Sequence, residues 1–178
     1  VNGINVLSKV IEDRALVSYN NSETPIYLKG VDSSFYRQNR LEKNIVEGSF
    51  ILSNQDLEYV VVGRGVKYKI SLNLKDNFNN ITLYSISPNF SFLPGQIQKN
   101  PFNQLQVRAS GVFAIEQQLD NNYIISSLNF AKKLFDKKMQ ITDIELKIDE
   151  IEKIEEIEKK IQNTIGDKYS VLTIEEQH

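Results

Sequence analysis

Two hydrophobic periods follow each other near the end of the sequence, and they constrain the fold more than any other feature. From Thr142 to Ile148 apolar and charged residues alternate, which is the period of a half-buried strand. Isoleucines then recur every three or four residues from Ile151 to Ile165, and Gly166 stands where a left-handed helix cap belongs. With a further strand expected over Tyr169–Ile174, this tail predicts a β-α-β crossover and a mixed sheet.

Other β-prone runs and turn residues predict more strands upstream. We expect them over residues 15–19, 26–31, 57–62, 80–87, 104–114 and 123–126. The spacing of Val6, Leu7, Val10 and Ile11 predicts a short helix, and a second helix is expected after Gly63. Ser127 is expected to cap a third helix that carries Phe130 and Leu134 on its apolar side. The sequence therefore indicates an α+β fold.

Charge is distributed unevenly along the chain. Residues 60–115 carry six lysines and arginines against one aspartate, whereas residues 136–178 carry seven bases against twelve acids. This distribution fits two lobes with the basic middle inserted, and it also fits chance clustering on solvated faces. A length of 178 residues, with 40% apolar and 25% charged residues, suits one medium domain or two small lobes.

Composition excludes several classes of function. A net charge of −2 and a pI near 5.6 argue against a nucleic-acid protein held by its overall field. The absence of cysteine excludes disulfides and thiolate metal sites. The chain begins at Val1 and has no apolar run near the roughly 20 residues that a spanning helix needs, so we expect an excised soluble piece.

No familiar catalytic or cofactor motif stands out. Gly63-Arg64-Gly65 lies between a strand and a helix, but Tyr68 occupies the place of the third glycine of a dinucleotide fingerprint. His178, the only histidine, is the last residue, so Ser/His and Cys/His nucleophile pairs are not available. We therefore expect no catalytic residue, no cofactor and no metal.

Paired carboxylates leave one enzymatic alternative open. Glu116 with Asp120, or Glu145 with Asp149, could serve a carboxylate-dependent hydrolase if they converged in a pocket. We expect these acids to lie on faces that water covers instead. The sequence thus favours a protein that is not an enzyme.

One segment has an unusual composition. Residues 88–103 hold three of the four prolines of the chain together with several large apolar side chains. Proline prevents a central strand here, so we expect a loop or irregular hairpin with exposed aromatic groups. Its candidate partner-binding residues are Phe90, Phe92, Leu93, Pro94, Ile97 and Phe102.

Several segments, taken in order, give the chain a recognisable likeness. It resembles the periplasmic core domain of MacB-type, FtsX-like ABC transporter permeases, and the lipoprotein-releasing permeases of the LolC/LolE type are the branch it is most similar to. The segments that carry the resemblance are 26–32, 45–48, 59–66, 107–113, 120–125, 130–135 and 166–171.

The resemblance implies a two-lobed domain. A porter-like β-α-β lobe would be formed by both chain ends, residues 1–56 and 122–178, and a β-rich lobe, residues 57–121, would be inserted between them. It also implies a location in the periplasm, as a domain of a bacterial inner-membrane protein. The same resemblance places the Pro88–Phe102 segment where some lipoprotein-releasing permeases carry a hairpin that engages a lipoprotein carrier.

The implied activity is mechanical. In this family a cytoplasmic ATPase closes on nucleotide, membrane helices of the same permease transmit the motion, and paired domains of two permease subunits release a lipoprotein or another amphiphile. The expected partners are therefore these helices, the ATPase, a second permease subunit and a lipoprotein or its carrier, with no nucleic acid. Two alternatives stay open: a free-standing module that binds an amphiphile or a protein, and a cell-division-type permease domain that regulates a cell-wall hydrolase.

Overall fold

The computed structural model describes residues 4–35, 41–76, 78–86, 102–137, 140–148 and 154–173. Within these ranges the chain forms both strands and helices, so the predicted α+β class is confirmed. The strands are β1 (Ile4–Tyr19), β2 (Ser22–Val31), β3 (Ile45–Gly48), β4 (Ser53–Asn54), β5 (Leu57–Gly63), β6 (Ile81–Ile86), β7 (Phe102–Phe113), β8 (Tyr123–Ser127) and β9 (Asp143–Ile148). The helices are α1 (Arg64–Lys69), α2 (Gln117–Asn122), α3 (Leu128–Phe135) and α4 (Ile154–Ile165), with a 3-10 turn at Leu41–Asn44.

Six of the strands form a closed ring of pairings. Their order is β7-β6-β1-β2-β8-β5, and β5 pairs in turn with β7. The β2–β8 and β5–β7 pairs are parallel, and the other four pairs of this ring are antiparallel. Strands β3, β4 and β9 extend it by pairing with β7, β5 and β1. Each of the six strands thus pairs with two others of the ring over part of its length.

Strand β1 corrects one expectation. The helix predicted around Val6–Ile11 is wrong, because these residues lie in a strand that runs to Tyr19. Val10 and Ile11 are both buried although adjacent strand residues point to opposite faces. Each belongs to a different hydrophobic cluster. A strand buried on both faces carries adjacent apolar residues, and here their spacing imitated a helical period.

The core consists of two hydrophobic clusters. The larger cluster includes Ile11, Leu28 and Leu83 from the ring and packs against α1 and α3. The smaller one includes Val10, Val31, Phe35, Leu52, Val61, Phe113 and Ile125. Strand β5 contributes to both, since Val60 and Val62 face the larger cluster and Val61 faces the smaller. This two-sided burial accounts for the continuous apolar run that predicted β5.

Helix α3 lies close against strand β2. Ser127 caps it as predicted, because its hydroxyl oxygen accepts a hydrogen bond from the backbone N–H of Phe130 at 3.0 Å. Gly30 on β2 allows the close approach, since a Cβ built there would lie 2.2 Å from the Cβ of Ala131. The helix ends at Asp136, which adopts the left-handed conformation with φ 52°.

The chain divides into two compact units, Ser8–Ile144 and Val1–Leu7 with Glu145–His178. The first unit contains the ring. The boundaries predicted for the lobes, after residues 56 and 121, fall inside it, where β5 pairs with β8. The division into residues 1–56 with 122–178 and residues 57–121 stays a prediction.

The second unit contains α4, and Ile157 is the buried residue of this helix. Gly166 follows the helix with φ 71°, as predicted from its position. The strand expected over Tyr169–Ile174 is wrong for residues 169–173, and Ile174 lies outside the described residues. The backbone there turns to the helix, because Gln162 Nε2 donates to the Gly166 and Tyr169 carbonyls and its Oε1 accepts from Val171 N–H. Among the described residues, no helix is long and apolar enough to cross a membrane.

Candidate docking surface at the β6–β7 hairpin

Strands β6 and β7 form an antiparallel hairpin that carries the candidate partner-binding segment. Their register runs from Ile81 opposite Val107 to Ile86 opposite Phe102. The candidate residues Phe90, Phe92, Leu93, Pro94 and Ile97 lie outside the described residues. Phe102 is described: it begins β7, and half of its surface is exposed. Its strand partner Ile86 is 73% exposed, so the hairpin carries a pair of opposed, exposed apolar side chains at this point.

A groove of about 510 Å³ lies beside this exposed pair. Its lining is Arg14, Ala15 and Leu16 from β1, Glu23 from β2, Tyr84, Ser85 and Ile86 from β6, and Phe102 from β7. Leu16 and Tyr84 are opposite each other in the β1–β6 register. One arginine and one glutamate stand among mostly apolar side chains, so this surface suits an apolar partner with charged groups at its margin.

Phe102, a candidate from the sequence, lines this groove, whereas its neighbours there were not among the predicted residues. The signal was present in β6, where Ile81, Leu83 and Ser85 are buried and the residues between them are not. Tyr84 and Ile86 thus stand at positions that a strand of a soluble domain commonly gives to polar residues. Large apolar residues at the outward-facing positions of β6 were the sequence signal for the groove.

Of the two carboxylate pairs considered for catalysis, only Glu116 with Asp120 lies wholly within the described residues. Asp120 is buried, and its Oδ1 accepts a hydrogen bond from the backbone N–H of Ile115 at 2.8 Å. Its Oδ2 lies 3.6 Å from Arg64 Nη2, so this acid fixes the turn before α2 to α1. Glu116 is exposed. Asp149, the proposed partner of Glu145, lies outside the described residues, as does His178.

The Gly63-Arg64-Gly65 segment has a packing role. It joins β5 to α1 as predicted, and α2 lies directly against it. A Cβ on Gly65 would come within 1.8 Å of Asn121 Oδ1, and one on Gly63 within 2.3 Å of the Asp120 carbonyl oxygen. Both glycines therefore permit the contact between this turn and α2. In the described ranges, no three His, Asp or Glu side chains are grouped as metal ligands would be.

A second, polar cavity of about 180 Å³ lies near Asp76 and Arg108. It is smaller than the roughly 300 Å³ at which ligand pockets begin. Asp76 Oδ2 accepts hydrogen bonds from the Tyr19 hydroxyl at 2.6 Å and from Asn79 Nδ2 at 2.7 Å. Its Oδ1 accepts from the backbone N–H of Phe78 and of Asn79. These hydrogen bonds, of which the one from Tyr19 has the largest effect, hold the pKa of Asp76 below its usual range. The bonds from Phe78 and Asn79 also fix the conformation of the loop that carries Asp76.

Sequence comparison finds no matching family model and no matching curated protein. Comparison of structures does find relatives in fold. The chain is similar to the extracellular domain of the noncanonic ABC-type transporter YknZ from Gram-positive bacteria, with a TM-score of 0.61 and 12% identity over 97% of this chain and 83% of that one. It is also similar to the periplasmic region of MacB from Actinobacillus actinomycetemcomitans, with a TM-score of 0.51 and 12% identity over 92% of this chain and 69% of that one. The predicted likeness to MacB-type domains is confirmed at the level of the fold.

Proposed function

We propose that this chain is the extracytoplasmic domain of a bacterial ABC transporter permease and that it is not an enzyme. The observation that carries the proposal is the fold likeness to the YknZ domain, which extends over 97% of the chain. As in the two proteins compared, the domain would lie outside the cytoplasm, and in a cell with two membranes this place is the periplasm. Its immediate partners would be the membrane helices of the same permease and a second permease subunit.

The proposed work of the domain is mechanical. ATP hydrolysis by a cytoplasmic subunit would move the membrane helices, and the domain would pass that movement to a lipoprotein or another amphiphile. Such a role needs a body that does not absorb the movement by deforming. The closed six-strand ring supports this proposal, since it surrounds a close-packed core that includes Val17, Leu28 and Ile124.

We propose further that the β6–β7 hairpin is the docking surface for a lipoprotein carrier, which would place the chain in the lipoprotein-releasing group. The segment Phe90–Phe102 supplies the aromatic and aliphatic anchors in the sequence. The exposed pair Ile86 and Phe102 supports this proposal, because exposed apolar groups next to a groove gain most when a partner buries them.

Labelling in intact cells tests the location. The chain has no cysteine, so a single Asn54→Cys substitution at an exposed position creates a unique thiol. A membrane-impermeant maleimide should label this variant in whole cells, whereas Ser126→Cys, which is fully buried, should react only after unfolding. Labelling of Asn54→Cys only in lysed cells would contradict the proposal. So would a reading frame without apolar spans of about 20 residues on both sides of this chain.

Photo-crosslinking tests the docking surface. With p-benzoylphenylalanine at Ile86 or Phe102, the full-length permease should give one adduct of the mass of a soluble carrier. The double variant Phe92→Ser/Leu93→Ser should abolish it. Phe78, which is 94% exposed on another loop, is the matched control and should give no such adduct. The same adduct from Phe78, or an adduct that survives the double substitution, would exclude docking by the hairpin.

The groove favours a second candidate, a free-standing module that binds an amphiphile. A volume of about 510 Å³ is within the range of small-molecule pockets. In that case the isolated chain would bind a fluorescent lysophospholipid, and Leu16→Asp would abolish the binding. The two candidates are distinguished by the reading frame, because the second requires no membrane spans beside this chain.

A further inference from the structure

Helix α3 is tied to the ring at its amino end. Ser127 Oγ accepts from the Phe130 N–H and donates to Glu58 Oε2 of β5 at 2.6 Å. The carboxylate therefore lies at the positive end of the helix dipole, where a negative charge is favourable. This contact fixes the start of α3 against strand β5.

The carboxyl end of α3 is tied to the β6–β7 hairpin. The carbonyl oxygen of Leu134 accepts hydrogen bonds from Ser85 Oγ at 2.6 Å and from Asn103 Nδ2 at 3.2 Å. Ser85 and Asn103 are opposite each other in the hairpin register, so one cross-strand pair supplies both donors. Ser85 is buried, which shields its hydrogen bond from water.

The Leu134 carbonyl lies in the last turn of α3. The last carbonyls of a helix have no intrahelical donor. Here the N–H groups of Asp136 and Lys137 both return to the Lys132 carbonyl. Among the residues that the structure describes at this end of α3, the donors to the Leu134 carbonyl are therefore those of the hairpin.

The contact with the Leu134 carbonyl lies at the point where the hairpin extends beyond the ring. Pairing of β6 with β1 covers Thr82–Tyr84 and stops before Ser85. The pair Ser85 and Asn103 thus lies where the hairpin leaves its neighbour in the ring, one residue before the exposed pair Ile86 and Phe102. Beyond Tyr84, where β6 no longer pairs with β1, the hairpin instead contacts the Leu134 carbonyl of α3.

We infer that α3 acts as a strut whose Leu134 carbonyl sets the orientation of the β6–β7 hairpin, with Ser85 and Asn103 as positioning residues. The inference deepens the proposed function and rests on it for its consequence: movement of the ring at Glu58 would reach the docking surface through α3. The structural part concerns the isolated chain alone.

Spin-label distances test this inference. Two nitroxide labels on the purified chain, at Ile86→Cys and Lys133→Cys, report the hairpin relative to α3, and both positions are exposed. We expect one narrow distance distribution in this background and its loss in Ser85→Ala/Asn103→Ala. In a second label pair, Gln106→Cys with Lys133→Cys, the hairpin label lies on the side of the contact where β6 still pairs with β1. This pair should keep its distance distribution. Ser126→Ala, another buried serine, is the matched control substitution and should change neither pair.

Amide hydrogen exchange gives a second measurement. The β6–β7 amides next to Ser85 should exchange about fivefold faster in the double variant, the effect of losing roughly one net hydrogen bond. Ser85→Thr keeps a hydroxyl donor and should restore protection. If the double variant fails to fold, Asn103→Ala alone, at a half-buried position, serves as the test.

Unchanged distances and unchanged exchange in a folded variant would overturn the inference. This outcome is independent of any partner, so it differs from failure of the proposed function, which would show as absent crosslinking from Ile86 in the wild-type permease. A loosened hairpin that still gives the wild-type crosslink would overturn the strut as the determinant of docking.

Discussion

The hydroxyl of Tyr19, at the end of strand β1, donates to the carboxylate of Asp76 at 2.6 Å. The two residues are 57 positions apart, and the bond fixes the loop before β6 to the β1–β2 hairpin. Tyr19 itself is buried, so the contact joins a core side chain to a surface loop. Its energetic weight depends on the charge of Asp76.

The first prediction concerns pH. Because hydrogen bonds from Tyr19 and then Asn79 lower the pKa of Asp76, the folded state binds this proton less readily than the unfolded state, whose carboxyl has a pKa of about 3.9. The resulting stability is present above about pH 4 and is lost as pH falls toward the lower folded pKa. Urea unfolding between pH 2 and 7 should show a shallower acid dependence in Asp76→Asn. Tyr19→Phe should have a smaller effect in the same direction, and an unchanged slope in both would contradict the role of this pair.

The second prediction contrasts two buried serines. Ser8 Oγ is buried with no hydrogen-bond partner among the described residues, whereas Ser85 Oγ donates to Leu134. Removing an unpaired buried hydroxyl recovers its desolvation cost, whereas removing a paired one loses the net contribution of its hydrogen bond. Ser8→Ala should raise the free energy of unfolding by about 1 kcal/mol, and Ser85→Ala should lower it by a similar amount. Chemical denaturation decides this, and the same sign for both would refute it.

The third prediction concerns the contact of β2 with α3. Gly30→Ala places a methyl group against Ala131 and 3.2 Å from the Ser127 carbonyl oxygen, so the helix must shift. We expect a loss of about 2 kcal/mol in stability, which is typical of overpacking. The double variant Gly30→Ala/Ala131→Gly should recover part of the loss, as a double-mutant cycle would show. Additive effects would mean that the two residues do not compete for the same space.

The fourth prediction concerns the cap of α3. Ser127→Ala removes the acceptor for Phe130 N–H and the donor to Glu58. The stability should fall by about 1 kcal/mol. Ser127→Thr keeps both groups and is the matched control. Thermal unfolding followed by circular dichroism measures both, and an alanine variant as stable as the threonine variant would show that the cap contributes nothing.

Much of the local structure could be predicted from the sequence because local chemistry encodes it. Patterns that span a few residues predict Ser127 as a cap, Gly166 as a helix end and a strand over residues 142–148, of which 143–148 form β9. Closure of the ring could not be predicted in this way. It depends on parallel pairs such as Tyr27 with Tyr123 and Tyr59 with Arg108, which are far apart in sequence and carry no mark of their pairing.

The errors have physical causes too. Two-sided burial gave β1 a helix-like period, and the apolar residues after Tyr169 suggested a strand where Gln162 supplies the hydrogen bonds that a sheet would otherwise provide. At the candidate docking surface, Phe102 could be inferred from its proline-rich neighbourhood. For Tyr84 and Ile86 the sequence carries the outward apolar pattern of β6, but their neighbours Leu16 and Phe102 follow only from the strand register.

The closed ring also bears on how the protein avoids self-association. Strands rich in valine, isoleucine and tyrosine are templates for intermolecular pairing when an edge is open. Here the strand order ends at β3 and β4, which have only four and two residues. Each of the six ring strands pairs with two neighbours over part of its length, which shortens the edge that is open to a second molecule. Closure of this kind limits edge-to-edge aggregation while the domain still exposes apolar side chains such as Ile86.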